Sequence, residues 1–380
     1  MKVLVAPDKF KGSLSAKQVA SAIKKGIIRA MHDAVVEVCP MADGGEGMVE
    51  ALLDSLGGER REVIVKGPMG ERVKAGYGIL PGSIAVIEMS SAAGLWMVPM
   101  EKRNPMLATT YGVGELIKDA LAENIRRIII GIGGSATNDG GTGMAKALGV
   151  KFMDDHGREL GYGGQILARI KKIDISGLDS RTKSAEILAA CDVTNPLCGE
   201  KGAACVYAPQ KGATMQMVKE LDDGLRNFSQ VIKNELGVDV ADIPGAGAAG
   251  GTGAGLATFL GARLLPGVEI VAETVGLREK MGGADIVVTG EGRIDGQTLS
   301  GKTLFGVARI SKEMGIPVIA FAGSVEKDAD SLHDNGVLAM FSISDGPISL
   351  EESLKKAENL LERSVEEVFR LIDLTLSMKR

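Results

Sequence analysis

Short apolar runs that end in glycine and carboxylate, alternating with helical patterns, constrain this chain more than any other feature. VLVAPDKFKGS reads as a strand running into a loop, and Ser15-Ala-Lys-Gln18 is a capping-box start for a helix through AIKKGIIRA. VVEVCPMADGGEG repeats the scheme ahead of a helix through VEALLDSL. RRIIIGIGGSATNDGGTG, EILAACDVTNPLCG, ADIVVTGEGRID, IPVIAFAG and AMFSISDGP are five further strand-plus-loop units. This alternation predicts α/β structure on parallel sheets, with ligands bound beyond the carboxyl ends of the strands, where this chain gathers its polar residues. The last segment, SLEESLKKAENLLERSVEEVFRLIDLTL, carries Leu350, Leu354, Leu361, Val365, Val368, Ile372 and Leu376 on one stripe and predicts an amphipathic packing helix.

Between roughly Glu62 and Leu80 the pattern changes to shorter alternating segments, EVIVKGPMG, RVKAGYGIL and IAVIEMS. Such a change predicts one domain inserted into another, and 380 residues with 45% apolar content suffice for two cores. The strands nearest the termini (VLVAP, VEVCP, DIVVTGEG, VIAFAG, MFSISD) are expected to share one Rossmann/flavodoxin-like parallel sheet, built from residues 1–61 plus 282–380. Residues 62–281 are expected to form the inserted α/β domain, with a cleft between the two.

The remaining composition excludes several partners. A net charge of −5 with no basic run argues against nucleic acid and against anionic membranes. One Trp, four Tyr and eight Phe leave few platforms for stacking bases. The amino terminus, MKVLVAPDKFKG, meets charge at Asp8 and Lys9 before a signal-peptide core could form, and no apolar stretch approaches ~18 residues. Cys39, Cys191, Cys198 and Cys205 lack zinc spacing and read as reduced thiols in a cytoplasm. The three histidines, His32, His156 and His333, offer little to a histidine-based mechanism.

Three glycine motifs compete for a nucleotide. GQTLSGKT (Gly296 to Thr303) fits G-x-x-x-x-G-K-[ST] letter for letter, but the apolar run ADIVV is followed by seven residues of glycine and charge, so no strand is expected to lead into a P-loop there. With 52 glycines, such patterns also arise by chance. GIGGSA (Gly131 to Ala136) follows a real strand and has the acidic pair Asp154 and Asp155 downstream, yet TNDGGTG delays the helix that a dinucleotide fold would start inside the motif. GAGAAG (Gly245 to Gly250) has no strand before it. What GGSATNDGGTG and GAGAAGGTGAG share is exposed backbone opening into a helix, which suits phosphate. The alternative use of the same glycines is close helix–strand packing.

Five polar clusters sit at apparent strand ends: Asp8, Lys9, Lys11 and Ser13; Asp43 and Glu46; Ser135, Thr137, Asn138 and Asp139; Asp192 and Asn195; Glu291, Arg293, Asp295 and Gln297. Phosphoryl transfer needs such a set: cations and N–H groups for the γ-phosphate, carboxylates for Mg²⁺, and an acceptor for the proton of the attacking hydroxyl.

With these blocks in order, the chain resembles the type I glycerate kinases, the bacterial glycerate 2-kinase family. APDKFKGSLSA, PMADGGEG, GIGGSATNDGGTG, CDVTNPLCG, PGAGAAGGTGAG and TGEGRIDGQTLSGK carry the resemblance, which spans nearly the whole chain. It implies ATP-dependent phosphorylation of D-glycerate to 2-phosphoglycerate, with ATP as co-substrate and Mg²⁺; the 2-position rests wholly on it. In the family pattern position 296 is free, so Gly296 completes the P-loop signature by accident, although Lys302 can still approach a phosphate.

The expected assignments follow. Asp192 is the base, with Asn195 as orienting partner and Asp295 as the second candidate; Lys9 joins them as a catalytic cation. Asp8, Lys11, Ser13, Arg293 and Gln297 bind glycerate, whose carboxylate is expected at Asp8, Lys9 and Lys11. Gly133, Gly134, Ser135, Thr137, Asn138, Asp139, Gly250, Gly251 and Lys302 bind the nucleotide, and Asp43, Glu46 and Glu291 hold the metal. The partners expected are small molecules alone, with homo-oligomer formation left open. The rival readings are an NAD-dependent dehydrogenase, from GIGGSA and Asp154, and a non-catalytic sugar-acid sensor.

Overall fold

The structure, a computed structural model, describes residues 1–299 and 302–378, without the side chains of Gln297 and Leu299. The strands in chain order are β1 (Lys2–Val5), β2 (Val35–Val38), β3 (Glu59–Lys66), β4 (Arg72–Leu80), β5 (Ile84–Glu88), β6 (Arg127–Gly131) and β7 (Lys151–Met153). They continue with β8 (Lys172–Asp174), β9 (Glu186–Ala190), β10 (Arg263–Leu265), β11 (Ile286–Ile294), β12 (Val318–Val325) and β13 (Val337–Ser342). The chain folds as two compact units. The first comprises Met1–Asp43, Glu50–Gly57 and Val268–Arg380; the second comprises Gly44–Val49 and Gly58–Gly267.

In the first unit the sheet order is β13-β12-β11-β1-β2, parallel throughout. Counted within the unit this is 2-1-3-4-5, the flavodoxin order, and the strand order reverses between β1 and β11. The valine and isoleucine runs are there because the central strands are covered on both faces. Val3, Val5, Val288 and Phe321 are buried with Ile23 and Ile27 of the helix Ala16–Ala30 and with Leu361, Val365 and Phe369 of the helix Leu350–Ser377. These two helices touch backbone to backbone at Gly26, where a Cβ would lie 2.5 Å from the Glu362 carbonyl oxygen. Of the expected stripe, Leu361 and Val365 are buried, and Val368 and Ile372 pack against the core. Leu350, Leu354 and Leu376, toward the two ends of this long helix, are exposed.

β11 departs from expectation. The apolar run ADIVV accounts only for its first half; pairing of Gly290, Glu291, Arg293 and Ile294 with Phe321, Ala322, Ser324 and Val325 of β12 carries it to Ile294. A strand therefore does lead toward GQTLSGKT, and a helix, Thr303–Glu313, follows it. The intervening loop makes a 3-10 turn over Gly296–Leu299, while Ser300 and Gly301 lie outside the described residues.

In the second unit the order is β10-β9-β6-β5-β4-β3. The three short alternating segments are β3, β4 and β5, with β4 antiparallel to both its neighbours, and β5, β6, β9 and β10 run parallel. β7 and β8 form a separate antiparallel pair. This unit has its own core, including Tyr77, Ile87, Ile130, Phe152, Phe228 and Leu256. Gly44–Val49 sorts with it for two local reasons. Any Cβ at Gly44 would sit 2.6 Å from that of Ala190, and Glu88 Oε1 accepts the N–H groups of Gly47 (3.0 Å) and Val49 (2.9 Å). Residues from Val268 onward, the body of the helices Gly267–Thr274 and Leu277–Met281, sort with the first unit, as Val268 presses on Gly306 there.

Candidate functional site

A reversal of strand order marks where ligands bind in open α/β sheets, beyond the carboxyl ends of the strands, and beside the reversal between β1 and β11 stand two buried carboxyls. Asp8 follows β1, and its N–H donates to the Gly290 carbonyl of β11 (2.9 Å). Its carboxylate accepts the Lys9 N–H (2.6 Å) and the Thr303 hydroxyl (2.5 Å). Burial, and then the charge of Asp43, pushes the Asp8 carboxyl up to about 6, against the pull of those two hydrogen bonds. Glu291, on β11, accepts the Thr298 hydroxyl (2.7 Å); burial pushes it up to about 7, with Lys302 opposing and Asp8 and Asp295 adding to the shift. Asp8, Asp43, Glu291 and Asp295 thus form one electrostatically coupled cluster, and displaced carboxyls of this kind gather at functional sites.

Two of the expected cations pair with Asp295 of that cluster. Lys302 occupies the N-cap position of the helix Thr303–Glu313, with Nζ 3.5 Å from Asp295 Oδ1. Arg293 is exposed and bridges Asp295 (3.4 Å) and Glu326 (3.5 Å). Lys9 is half-buried and Lys11 exposed, and the Ser13 hydroxyl donates to the Phe10 carbonyl (3.1 Å) within its own turn. The side chain of Gln297 lies outside the described residues.

Among the described residues no group of three or more histidine, cysteine or carboxylate side chains could hold a metal ion. Crowded buried oxygens such as Asp8 and Glu291 nevertheless suit Mg²⁺, which takes one or two carboxylates and completes its shell with water and phosphate. Of the carboxylates expected to serve, Asp43 and Glu291 belong to this unit, and Glu46, which is exposed, to the other.

In the second unit β6 and β9 are parallel neighbours, so the loops that follow them emerge side by side. They line one cavity of about 400 Å³, which brings Gly133, Gly134 and Ser135 together with Asp192. Gly134 is left-handed (φ +71°), a conformation that turns successive N–H groups to one side. Among the described residues no acceptor takes the N–H of Gly133, Gly134 or Ser135. Asp192 is exposed, and its Oδ1 accepts the Gly267 N–H (2.8 Å).

Beneath the loop lies a cation that sequence reasoning missed. Lys211 is 2% exposed, and its Nζ donates to Ser135 Oγ (2.8 Å) and to the Thr137 carbonyl (2.6 Å). Burial pulls its pKa down to about 7, with Asp139 opposing. A single lysine in the polar stretch Pro209-Gln210-Lys211-Gly212 carries no sign of this, since its partners lie 76 and 74 positions away. Tyr207, also missed, lines the cavity, and its hydroxyl donates to Asn195 Oδ1 (2.7 Å). The Asn195 amide also donates to the Lys201 carbonyl (2.8 Å), so the residue expected to orient Asp192 is itself held by Tyr207 and Lys201.

The rest of the expected phosphate loop is buried under the cavity. Asp139 accepts from Thr110 N–H (2.8 Å), Thr110 hydroxyl (2.9 Å), Gly141 N–H (3.1 Å) and Gly143 N–H (3.2 Å), four bonds that counter the upward push of burial on its pKa. Thr137 Oγ1 and both amide ends of Asn138 are buried without a partner, an arrangement that costs roughly 1–3 kcal/mol per group unless water or a ligand satisfies it. Gly250 and Gly251 are left-handed and wedge under this loop; a Cβ on Gly250 would lie 2.0 Å from the Thr137 carbonyl oxygen. Neither lines the cavity, whereas their neighbour Ala249 does, itself left-handed at φ 53°.

The dinucleotide features are placed otherwise. The helix after β6 begins only at Thr142, and Asp154 is held in its own turn by the His156 N–H (3.0 Å), the Arg158 N–H (2.9 Å) and the Arg158 guanidinium (3.1 Å).

Glycine backbone, an exposed carboxylate and a buried ammonium around one cavity, with buried carboxyls at a separate strand-order reversal, define a small-molecule α/β enzyme. The chain belongs to the glycerate kinase family, whose sequence model matches residues 3–373. It is 50% identical to the glycerate kinase of Halalkalibacterium halodurans over 367 residues, covering 96% of this chain and 97% of that one. It is likewise 50% identical to the glycerate 2-kinase of Escherichia coli over 358 residues, 94% of each. A crystal structure assigned to glycerate kinase 2 from Salmonella typhimurium LT2 superposes with a TM-score of 0.91 at 46% identity, covering 99% of both chains. The protein is thus a small-molecule kinase.

Proposed function

We propose that this kinase transfers the γ-phosphoryl group of Mg-ATP to the 2-hydroxyl of D-glycerate, giving 2-phosphoglycerate. The observation that carries the mechanism is the meeting of the Gly133–Ser135 backbone and Asp192 on one cavity. The unclaimed N–H groups of that loop bind phosphoryl oxygens, and Asp192 takes the proton of the attacking hydroxyl. Asp295 is the alternative base. Lys9 and Lys11, with Arg293, supply positive charge for the glycerate carboxylate, and Asp8, Ser13 and Gln297 offer partners to its hydroxyls. Lys302, at a helix N-terminus, is assigned to the phosphates. Asp43, Glu46 and Glu291 are the carboxylates assigned to Mg²⁺, which when bound neutralises charge on the β- and γ-phosphoryl oxygens. Thr137, Asn138, Asp139, Gly250 and Gly251 act from below by fixing the phosphate loop.

Among the described residues no helix is long and apolar enough to cross a membrane, and with four free cysteines this supports a cytoplasmic enzyme. The test is a phosphorus NMR spectrum of the protein with Mg-ATP and D-glycerate, against authentic 2- and 3-phosphoglycerate. A 2-phosphoglycerate signal with matching ADP is expected. A 3-phosphoglycerate signal would overturn the regiochemistry and move the base, and no product would overturn the substrate.

A further inference from the structure

We propose that Lys211 is the buried cation of the phosphate subsite, giving its third N–H to phosphoryl oxygens of the nucleotide held on Gly133–Ser135. The inference rests on the reading of that loop given under Proposed function. Lysine carries three donors, and two are taken, by Ser135 Oγ and by the Thr137 carbonyl. Among the described residues no acceptor takes the third, and Lys211 lines the cavity.

Its position is fixed by backbone rather than chance. Pro209–Lys211 is a 3-10 turn ended by Gly212 at φ +91°, where a Cβ would lie 2.5 Å from the Arg103 carbonyl oxygen, so no other residue fits after the lysine. Ser135 Oγ accepts from Lys211 and keeps its own hydrogen for a ligand. A phosphoryl group on this loop would therefore meet backbone N–H groups, one hydroxyl and one ammonium, the last two linked to each other.

The charged and titratable groups around Lys211 leave that ammonium under-compensated. Among the described residues Asp139 is the one carboxylate acting on it, and it is already engaged by four donors. Arg103 shares a smaller hollow with Lys211 and donates to the Val98 and Gln210 carbonyls. Asp192, Cys191 and Tyr207 line the same cavity. With its pKa pulled down to about 7, Lys211 is only partly protonated near neutrality, and an arriving anion restores the proton. Nucleotide binding is thereby coupled to proton uptake.

Calorimetric titration of the full-length protein with Mg-AMPPNP, in two buffers of different ionisation enthalpy above pH 7, reads that uptake as the difference in proton count between wild type and Lys211→Met, since protons given up by Asp8 and Glu291 are common to both. The KM for ATP across about pH 6 to about 9 reads it again, rising by up to about tenfold per unit above the Lys211 pKa. In Lys211→Met the slope is expected to vanish and the KM to be raised about tenfold or more even at the acid end. Ser135→Ala, which removes one partner and leaves the ammonium, is expected to keep the slope. Should Lys211→Met fail to fold, Lys211→Gln, which keeps a donor for Ser135 and Thr137 without a titrating ammonium, takes its place with the same loss of slope expected. Nucleotide binding with no proton uptake, or an unchanged slope in Lys211→Met, overturns the role of Lys211. Absence of nucleotide binding, with D-glycerate alone binding and taking up a proton, would overturn the phosphate reading instead and give the cation to the substrate carboxylate.

Discussion

The hydroxyl of Thr303 donates to Oδ2 of Asp8 at 2.5 Å, joining residues 295 positions apart. This contact fastens the start of the helix Thr303–Glu313 to the loop leaving β1, across the point where the strand order of the first unit reverses. It also leaves an acid out of water beside other acids, which has a measurable consequence.

In the folded protein the Asp8 carboxyl stands at about 6, against 3.8 ordinarily, and Glu291 at about 7, against 4.5. Both values are raised, so the native state holds protons that the unfolded chain has already released. Each group therefore lowers stability as pH rises from about 4 through about 6 or 7, and adds no further slope above. Asp8→Asn and Glu291→Gln remove these slopes. The melting temperature of either variant minus that of wild type is expected to become more positive between about pH 5 and pH 8. A difference independent of pH would remove the assigned strain.

Mg²⁺ should act on the same cluster in the opposite sense. Thermal melts with and without the ion are expected to show more stabilisation at about pH 8, where the carboxyls are ionised, than at about pH 5. The Glu291→Gln variant should show less of it. Equal stabilisation at both values, or in both proteins, would take Glu291 out of the metal assignment.

Asp192 accepts the Gly267 N–H through one carboxylate oxygen, and an asparagine can make the same bond. Asp192→Asn should consequently melt like wild type and keep its KM for ATP, while kcat falls by roughly 10²–10⁴. Near-wild-type turnover would hand the base to Asp295.

Gly134 and Gly250 separate two uses of glycine. At Gly134 a Cβ meets Ser90 at 3.4 Å, so Gly134→Ala is strained by its positive φ but not blocked, and should raise the KM for ATP at a modest cost in stability. At Gly250 the 2.0 Å approach to the Thr137 carbonyl forbids any side chain, and Gly250→Ala should cost more than ~3 kcal/mol of unfolding free energy. Chemical denaturation of the two variants side by side checks this. Equal losses would return both loops to one role.

How far the sequence could be read depends on whether partners were local. The strand ends advertised Asp8, Asp192, Glu291 and Gly133–Ser135, because apolar runs of valine, isoleucine and leucine stop just before them or lead directly into them. The second half of β11 was hidden, since Thr289–Ile294 reads as glycine and charge and becomes strand only by pairing with β12. Lys211 and Tyr207 were hidden because a lysine in a turn and a tyrosine in a short helix acquire meaning from Ser135 and Asn195, met only in space. GAGAAGGTGAG announced glycine without saying what approaches it; on the side where a Cβ of Gly250 would stand, the neighbour is the Thr137 carbonyl oxygen.

The placement of β1 beside β11 imposes an order of events on the ribosome. β1 ends at Val5 and β11 begins at Ile286, so the strand at the amino terminus must wait for its neighbour while some 280 residues are made. At 5–20 residues per second that is roughly 14–56 s with one edge of β1 open. The stretch 58–267 emerges meanwhile as a continuous length with a core of its own, and can be complete before the first sheet closes. Nascent chains halted before residue 286 should carry a protease-resistant second unit and an unprotected amino-terminal strand.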